Sequence, residues 1–333
     1  MKKVFIQIIQ WAVAIVIASL IMNFALGFYN RTAGWINRNK GATLSIYNPN
    51  SSELQGVEGY GFVKIDNKGY INNKEIIDSD YVLAVGSSFT QGESVNDGER
   101  YTDLLNEKMG YKDKAYVYNV AQDGYYLPNI LKGIHALISE FPKSKKIIME
   151  IDKTSFSEKE LKSALKQRDY DPAQNGENIR KLLSTKQKIS IAVKEYSPLF
   201  YNIFLKIRET KVLKGKKDNK AKTSMDKGYE SVINDVLNKV SSMYDGEIIV
   251  LYHPSLSINN NEVVIKKEST YDTFVKACKN NNIKVINMGE RFKEEYKKRH
   301  KVPYGFFNTS MGTGHFNKDG HKMVAEELLD YIK

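Results

Sequence analysis

An α/β fold is predicted: a three-layer α/β/α sandwich around a mainly parallel sheet, with an N-terminal transmembrane helix and a helical insertion. Three observations predict it. Apolar runs of strand length alternate with longer segments of helical period from Tyr81 to Ile332, the pattern of parallel βαβ crossovers. The first of these runs empties into a turn rich in glycine and serine. The chain also opens with a long stretch that carries no charge.

That opening stretch, Val4 to Phe28, follows Lys2 and Lys3 and reads VFIQIIQWAVAIVIASLIMNFALGF. As a helix rising 1.5 Å per residue it can cross a hydrocarbon core about 30 Å thick. A cleaved signal peptide is the competing reading, because Trp11 to Met22 has the length of a signal h-region and Ala25-Leu26-Gly27 is a passable cleavage site. Val4 to Ile9 extends the apolar run beyond an ordinary h-region, which favours an uncleaved single-pass anchor. Both readings put the remainder outside the cytoplasm. Flanking charge does not decide orientation, since Arg31, Arg38 and Lys40 offset Lys2, Lys3 and the terminal amine. Residues 1–30 are read as anchor and 31–59, rich in Asn, Ser and Gly, as linker.

Residues 60–333 are read as one α/β domain. Tyr60 to Asn72 alternates around Asp66-Asn67-Lys68-Gly69, a hairpin signal. Strands follow at Tyr81 to Val85, Ala115 to Val120, Lys146 to Ile151, Glu247 to Tyr252 and Ile283 to Met288. Helices are expected near Arg100 to Met109, Pro128 to Phe141, Thr270 to Asn280 and Lys322 to Ile332. Between about 155 and 228 the pattern turns to helix and charge without an obvious strand, and reads as an insertion. Within it the apolar, aromatic segment Ser197 to Leu205 leads into Lys206 to Lys222, where only Glu209 and Asp218 oppose many Lys and Arg. Such a pair can rest on an anionic membrane surface, or be a core helix followed by a solvated lysine loop.

Composition narrows the function. A chain of 333 residues with 41% apolar residues can bury a full core and still carry attachments. Its net charge of +11 comes with no recognised nucleic-acid motif, so no nucleic-acid partner is expected. Cys278 is the single cysteine and cannot form an intramolecular disulfide. No zinc spacing, Walker loop or G-x-G-x-x-G fingerprint is present, so neither metal nor cofactor is expected. His135, within an apolar helical pattern, reads as structural, and His300, after a charged helix, as exposed.

In open parallel sheets, sites form beyond the carboxyl ends of strands. Ser88, Gly124 and Thr154 all fall there. A serine hydroxyl is a weak nucleophile at neutral pH and needs a base within reach, usually imidazole, and His315 precedes the last helix. A Gly- and Ser-rich strand exit alone is common in α/β proteins. The turn is not a G-x-S-x-G elbow either, because Thr90 sits where the second glycine belongs.

Taken in order, VGSSFTQG at Val85 to Gly92, Asn119 to Gly124, and GHFNKDGH at Gly314 to His321 resemble the SGNH, or GDSL-type, hydrolases, whose sandwich is flavodoxin-like. The resemblance covers most of the chain after Gly59. It implies Ser88 as nucleophile, His315 as base, and the N–H groups of Ser88 and Gly124 as an oxyanion hole. Two positions depart from the family. Ser87 aside, Gly312 occupies the place of the Asp before the histidine, so a backbone carbonyl or another side chain must orient His315. In the third block, Ile148 to Ser155 lacks the usual Asn, and Thr154 is the expected replacement as oxyanion donor. Ser87, Gln91, His253 and Asn317 are candidate pocket-lining residues.

The expectation is a membrane-anchored, extracytoplasmic serine enzyme that hydrolyses or transfers an ester-linked acyl group, acetyl by resemblance, on a cell-envelope or secreted glycan. An acylated glycan is then the substrate, and a membrane acyl-donor protein is a partner only if the enzyme is a transferase. The alternative is a catalytically silent scaffold of the same fold that binds glycan or supports envelope assembly.

Overall fold

The computed structural model describes residues 2–29, 36–37, 45–47, 49–55, 58–166 and 228–333, with isolated positions between 185 and 203. The chain begins with one apolar helix, α1 (Lys2–Tyr29), long and apolar enough over Lys2–Leu26 to cross a membrane, and its central stretch is not buried in the protein. Two short antiparallel pairs follow, β1 (Ile36–Asn37) with β2 (Ser45–Ile46) and β3 (Ser51–Gln55) with β4 (Gly61–Ile65).

The domain then alternates: β5 (Tyr81–Val85), α2 (Ser88–Gln91), α3 (Tyr101–Lys108), β6 (Val117–Asn119), α4 (Leu127–Glu140), β7 (Ser144–Ile151), α5 (Glu158–Ala164), α6 (Tyr229–Met243) and β8 (Glu247–Tyr252). It ends with β9 (Leu256–Asn259), β10 (Glu262–Ile265), α7 (Tyr271–Asn280), β11 (Lys284–Asn287), α8 (Gly289–Arg299) and α9 (Lys318–Ile332). The central sheet has five strands in the order β6-β5-β7-β8-β11, all parallel. The predicted sandwich is therefore present, and its first strand, β5, lies between the second and the third. That reversal opens a crevice at the carboxyl ends of β5 and β7, the place where doubly wound sheets hold their ligands.

Both faces of the sheet are covered, because successive strand side chains point to opposite sides. Leu83, Val85, Ile147, Met149, Ile248 and Val250 pack with α4, α6 and α7 on one face. Val82, Ala84, Ile148, Ile249 and Leu251 pack with α3, α8 and α9 on the other. Leu83 is fully buried, and a cut to alanine there costs about 2–5 kcal/mol. A frame this dense fixes the strand ends, and with them the turns that follow.

Three expectations change. The Tyr60 to Asn72 hairpin does not form as such: the turn at Asp66 to Gly69 is there, with Gly69 N–H on Asp66 C=O at 3.2 Å, but β4 pairs upstream with β3. Residues 51–55 and 58–59, read as linker, accordingly belong to the folded domain. The last helix starts four residues earlier than expected, at Lys318, because Asn317 caps it and accepts the Gly320 N–H at 3.0 Å. The β9–β10 hairpin, turned by left-handed Asn260 and Asn261, and α6 were not anticipated. Of the insertion expected over 155–228, α5 is described; Lys206 to Lys222 lies outside the described residues, as does most of Ser197 to Leu205.

Candidate active site

The turn leaving β5 is built around a buried carboxylate. Glu150, near the end of neighbouring β7 and 1% exposed, accepts the Ser87 backbone N–H at 2.8 Å, the Ser87 hydroxyl at 3.0 Å and the Thr90 hydroxyl at 3.2 Å. Its other oxygen lies 2.7 Å from His253 Nε2, and His253 Nδ1 lies 3.0 Å from the Tyr304 hydroxyl. Burial alone would raise the Glu150 carboxyl; His253 and the two Ser87 donors outweigh it and hold the pKa below the ordinary value. Gly86 is required by this arrangement, since a Cβ there would stand 2.4 Å from Glu150 Oε2. Ser87 caps the short helix α2 by accepting the Phe89 N–H at 3.3 Å.

This scaffold presents Ser88 at the first position of α2. Ser88 Oγ is 2.8 Å from His315 Nε2, a hydroxyl–imidazole contact between residues 227 apart in sequence. The His315 ring packs on Phe89, centroids 5.0 Å apart, and Phe89 in turn packs on Phe316 and His253. The imidazole thus has an apolar wall behind it.

The far side of the imidazole meets Glu58, a residue that no sequence signal singled out. Glu58 Oε2 accepts the His315 backbone N–H at 2.8 Å and lies 3.0 Å from His315 Nδ1. The Nδ1 approach is bent away from a straight hydrogen bond, so the resting pair is an ion-pair contact with the same oxygen clamped by the backbone. Burial would lower the His315 pKa, but Glu58, with Glu93 and Asp123 farther off, raises it above the ordinary imidazole value. Glu58 shows the reverse balance: burial raises its pKa and the bonds to His315 pull it below the usual carboxylate range. Gly314 leaves room for the carboxylate, since a Cβ there would come 2.6 Å from Glu58 Oε2.

Gly312, the position where the family carries its acid, faces elsewhere. It has φ +78°, and a Cβ there would point at Leu256, 2.9 Å away. A side chain there would start against Leu256 and Ile258, on a backbone strained for any residue but glycine.

Gly124 is carried beside the turn by three ties: Val120 N–H to Ala84 C=O at 2.9 Å, Gln122 N–H to Gly86 C=O at 3.0 Å, and Asn119 Nδ2 to Thr90 C=O at 2.8 Å. Among the described residues, the backbone N–H groups of Ser88 and Gly124 have no protein acceptor. Both are thus open to an acceptor from outside the protein.

Five of the other expected site residues are placed differently. Thr154 is fully buried, and its hydroxyl proton is committed to Glu268 Oε2 at 2.8 Å, with Thr270 Oγ1 at 2.9 Å, so it is not an oxyanion donor. His253 does not line a pocket; at 1% exposure it sits behind the nucleophile turn on Glu150. Gln91, 1% exposed, bonds the Tyr47 hydroxyl and braces α2 against the N-terminal segment. Asn317 caps α9 and bonds the carbonyls of Val302 and Gly305, which holds the loop that carries His315. Ser87 is likewise a brace, buried on Glu150.

No family model matches the chain, and no curated protein matches it. Among solved structures it is similar to the acetyl xylan esterase AlAXEase, at 13% identity over 76% of this chain and 100% of that one, with a TM-score of 0.43. It is also similar to a G-D-S-L family protein from Desulfitobacterium hafniense, at 13% identity over 76% and 99% of the two chains, TM-score 0.34. A third is the C-terminal catalytic domain of Streptococcus pneumoniae peptidoglycan O-acetyltransferase A, at 10% identity over 76% and 92%, TM-score 0.32.

Proposed function

We propose that this chain is a membrane-anchored serine enzyme that hydrolyses or transfers an ester-linked acyl group, acetyl in the simplest case, on a glycan outside the cytoplasm. The observation that carries the reading is the continuous line from Ser88 Oγ through the His315 ring to Glu58. His315 Nε2 takes the Ser88 proton as Oγ attacks the ester carbonyl. The N–H groups of Ser88 and Gly124 receive the oxyanion, and collapse expels the alcohol with the proton from His315. Water or a sugar hydroxyl, deprotonated by the same imidazole, then attacks the acyl-enzyme and frees Ser88. Glu58 stabilises the imidazolium formed in each half and fixes which nitrogen faces the serine. The apolar helix α1 supports the anchor, and the position outside the membrane together with the motif resemblance supports a glycan.

A silent scaffold of this fold has less in its favour once a carboxylate stands at His315. The test is labelling of the full-length chain with a fluorophosphonate, with 4-nitrophenyl acetate hydrolysis alongside. Label on Ser88 and hydrolysis lost in Ser88→Ala are expected. Absence of both label and Ser88-dependent turnover would leave the scaffold as the better reading.

A further inference from the structure

The two loops that bring Glu58 and His315 together also carry exposed aromatic surface. Tyr60, two residues after Glu58, is 56% exposed, and Phe307 is 72% exposed. Their rings stack, with centroids 5.3 Å apart and planes 26° from parallel. At 3.8 Å per Cα step, Tyr60 cannot lie more than about 8 Å from Glu58 along the backbone. Phe62, 52% exposed, is two residues farther along an extended segment and projects to the same side as Tyr60.

This surface is fixed to the site. The Asn308 N–H donates to the Glu58 carbonyl at 3.2 Å, the Phe306 N–H to Thr309 Oγ1 at 2.7 Å, and the Gly305 N–H to the His315 carbonyl at 3.0 Å. Phe306 lies so close over Gly59 that a Cβ there would come within 2.4 Å of its ring. Stacked aromatic rings left in water beside a catalytic pair mark a binding surface, because they hold apolar area that an occupant could cover.

Charge narrows the occupant. Glu58, Glu93 and Asp123 all act on His315, so the charges that bear on this histidine are negative. An anionic lipid surface or polyanion is repelled there. A sugar ring fits both features: its C–H face lies on an aromatic face, and its hydroxyls donate to carboxylates.

Resting on the esterase reading above, we infer that the Tyr60–Phe307 pair is a subsite for an uncharged sugar ring of a glycan chain whose acylated unit lies at Ser88. The substrate class is then a neutral oligosaccharide or polysaccharide of several units.

Binding tests this apart from catalysis. Full-length Ser88→Ala protein in detergent is titrated calorimetrically with acetylated cello-, manno- and xylotetraose, each against its acetylated monosaccharide, and with tetragalacturonate. At least one neutral tetraose should bind tenfold or more tightly than its monosaccharide, and the double variant Tyr60→Ala/Phe307→Ala should lose that advantage. The exposed single change Phe307→Ser repeats the test if the double variant fails to fold. The inference is overturned if no neutral tetraose outbinds its monosaccharide, if the advantage survives in the variants, or if tetragalacturonate binds best. It is also overturned if the double variant loses only sedimentation with phosphatidylglycerol vesicles. Hydrolysis of 4-nitrophenyl acetate by the wild-type chain tests the esterase reading separately.

Discussion

Glu58 and His315 stand 257 residues apart in sequence, yet one carboxylate oxygen of Glu58 touches both the ring and the backbone N–H of His315. Because the carboxylate comes from the β3–β4 connection and not from the loop of the histidine, the N-terminal strand pair of the domain brings it to His315.

Glu58→Gln therefore tests the assignment. Losing the charge that fixes the tautomer and stabilises imidazolium should lower kcat by about 100- to 10,000-fold with little change in fold. His315 must be neutral to act as base, and Glu58 raises its pKa. In the wild type, activity thus rises with pH through a limb above the ordinary imidazole value of about 6.5. Without the negative partner that limb moves to lower pH. A pH profile of 4-nitrophenyl acetate hydrolysis measures both, and an unmoved limb would assign the orienting role to another group.

Ser87 and Glu150 hold the nucleophile turn without reaching the reacting atoms. Ser87→Ala removes a cap and a hydroxyl bond to a buried carboxylate, a loss of about 1–3 kcal/mol in stability, but should retain measurable turnover. Glu150→Ala leaves His253 and the Ser87 N–H without their partner in a closed interior, so a loss of about 3–5 kcal/mol is expected. Denaturant unfolding of the two variants orders them. If Ser87→Ala were as inactive as Ser88→Ala while fully folded, the nucleophile would have to be reassigned.

An acid placed at Gly312 should not help. An aspartate there is strained by the left-handed backbone, and its Cβ meets Leu256. Gly312→Asp is expected to lower the melting temperature and give no gain in hydrolysis, alone or combined with Glu58→Gln. A rescue of the Glu58→Gln variant would show that the loop can turn its 312 side chain toward His315.

The parallel sheet was legible because each strand is a short apolar run, such as Val82 to Val85, between turn residues. The serine–histidine order was legible because Ser88 and His315 keep their neighbours: Gly86 before one, Asn317 and Gly320 after the other. Glu58 was not legible. It sits among Asn, Ser and Gly with no period to place it, and one carboxylate in a chain with 39 acidic residues carries no mark until the fold brings it to a histidine. Thr154 failed for a related reason: its partner, Glu268, is 114 residues away, and only the tertiary structure reveals that the hydroxyl is engaged. Glu150 hid inside the apolar run of β7, where a lone glutamate reads as a strand end and not as the acceptor for the nucleophile turn.

The N-terminal helix gives a prediction about place. If α1 is an uncleaved anchor, the full-length chain should stay with membranes through carbonate and high-salt washes and keep its N-terminal peptide by mass spectrometry. Contacts made only by basic segments would be screened and wash off. A soluble exported species that starts near Phe28 would identify α1 as a signal peptide and leave the Ser88–His315–Glu58 assignment standing.

A buried histidine sets an acid limit on stability. His321 is fully buried, and its Nδ1 accepts the Tyr101 N–H at the start of α3, at 3.2 Å, which requires that nitrogen to carry no proton. Burial first, and then the nearby Arg100 charge, pushes its pKa down to about 3. In the unfolded chain it titrates near 6.5, so between these values the unfolded state binds the additional proton. Its contribution to stability is complete above about pH 6.5 and shrinks as pH falls toward 3. The denaturant midpoint should therefore drop between pH 7 and pH 5. In His321→Gln, whose amide oxygen can accept the Tyr101 N–H without titrating, the drop should be smaller even if the midpoint at pH 7 is lower. Equal drops in the two proteins would remove His321 as the source of the acid sensitivity.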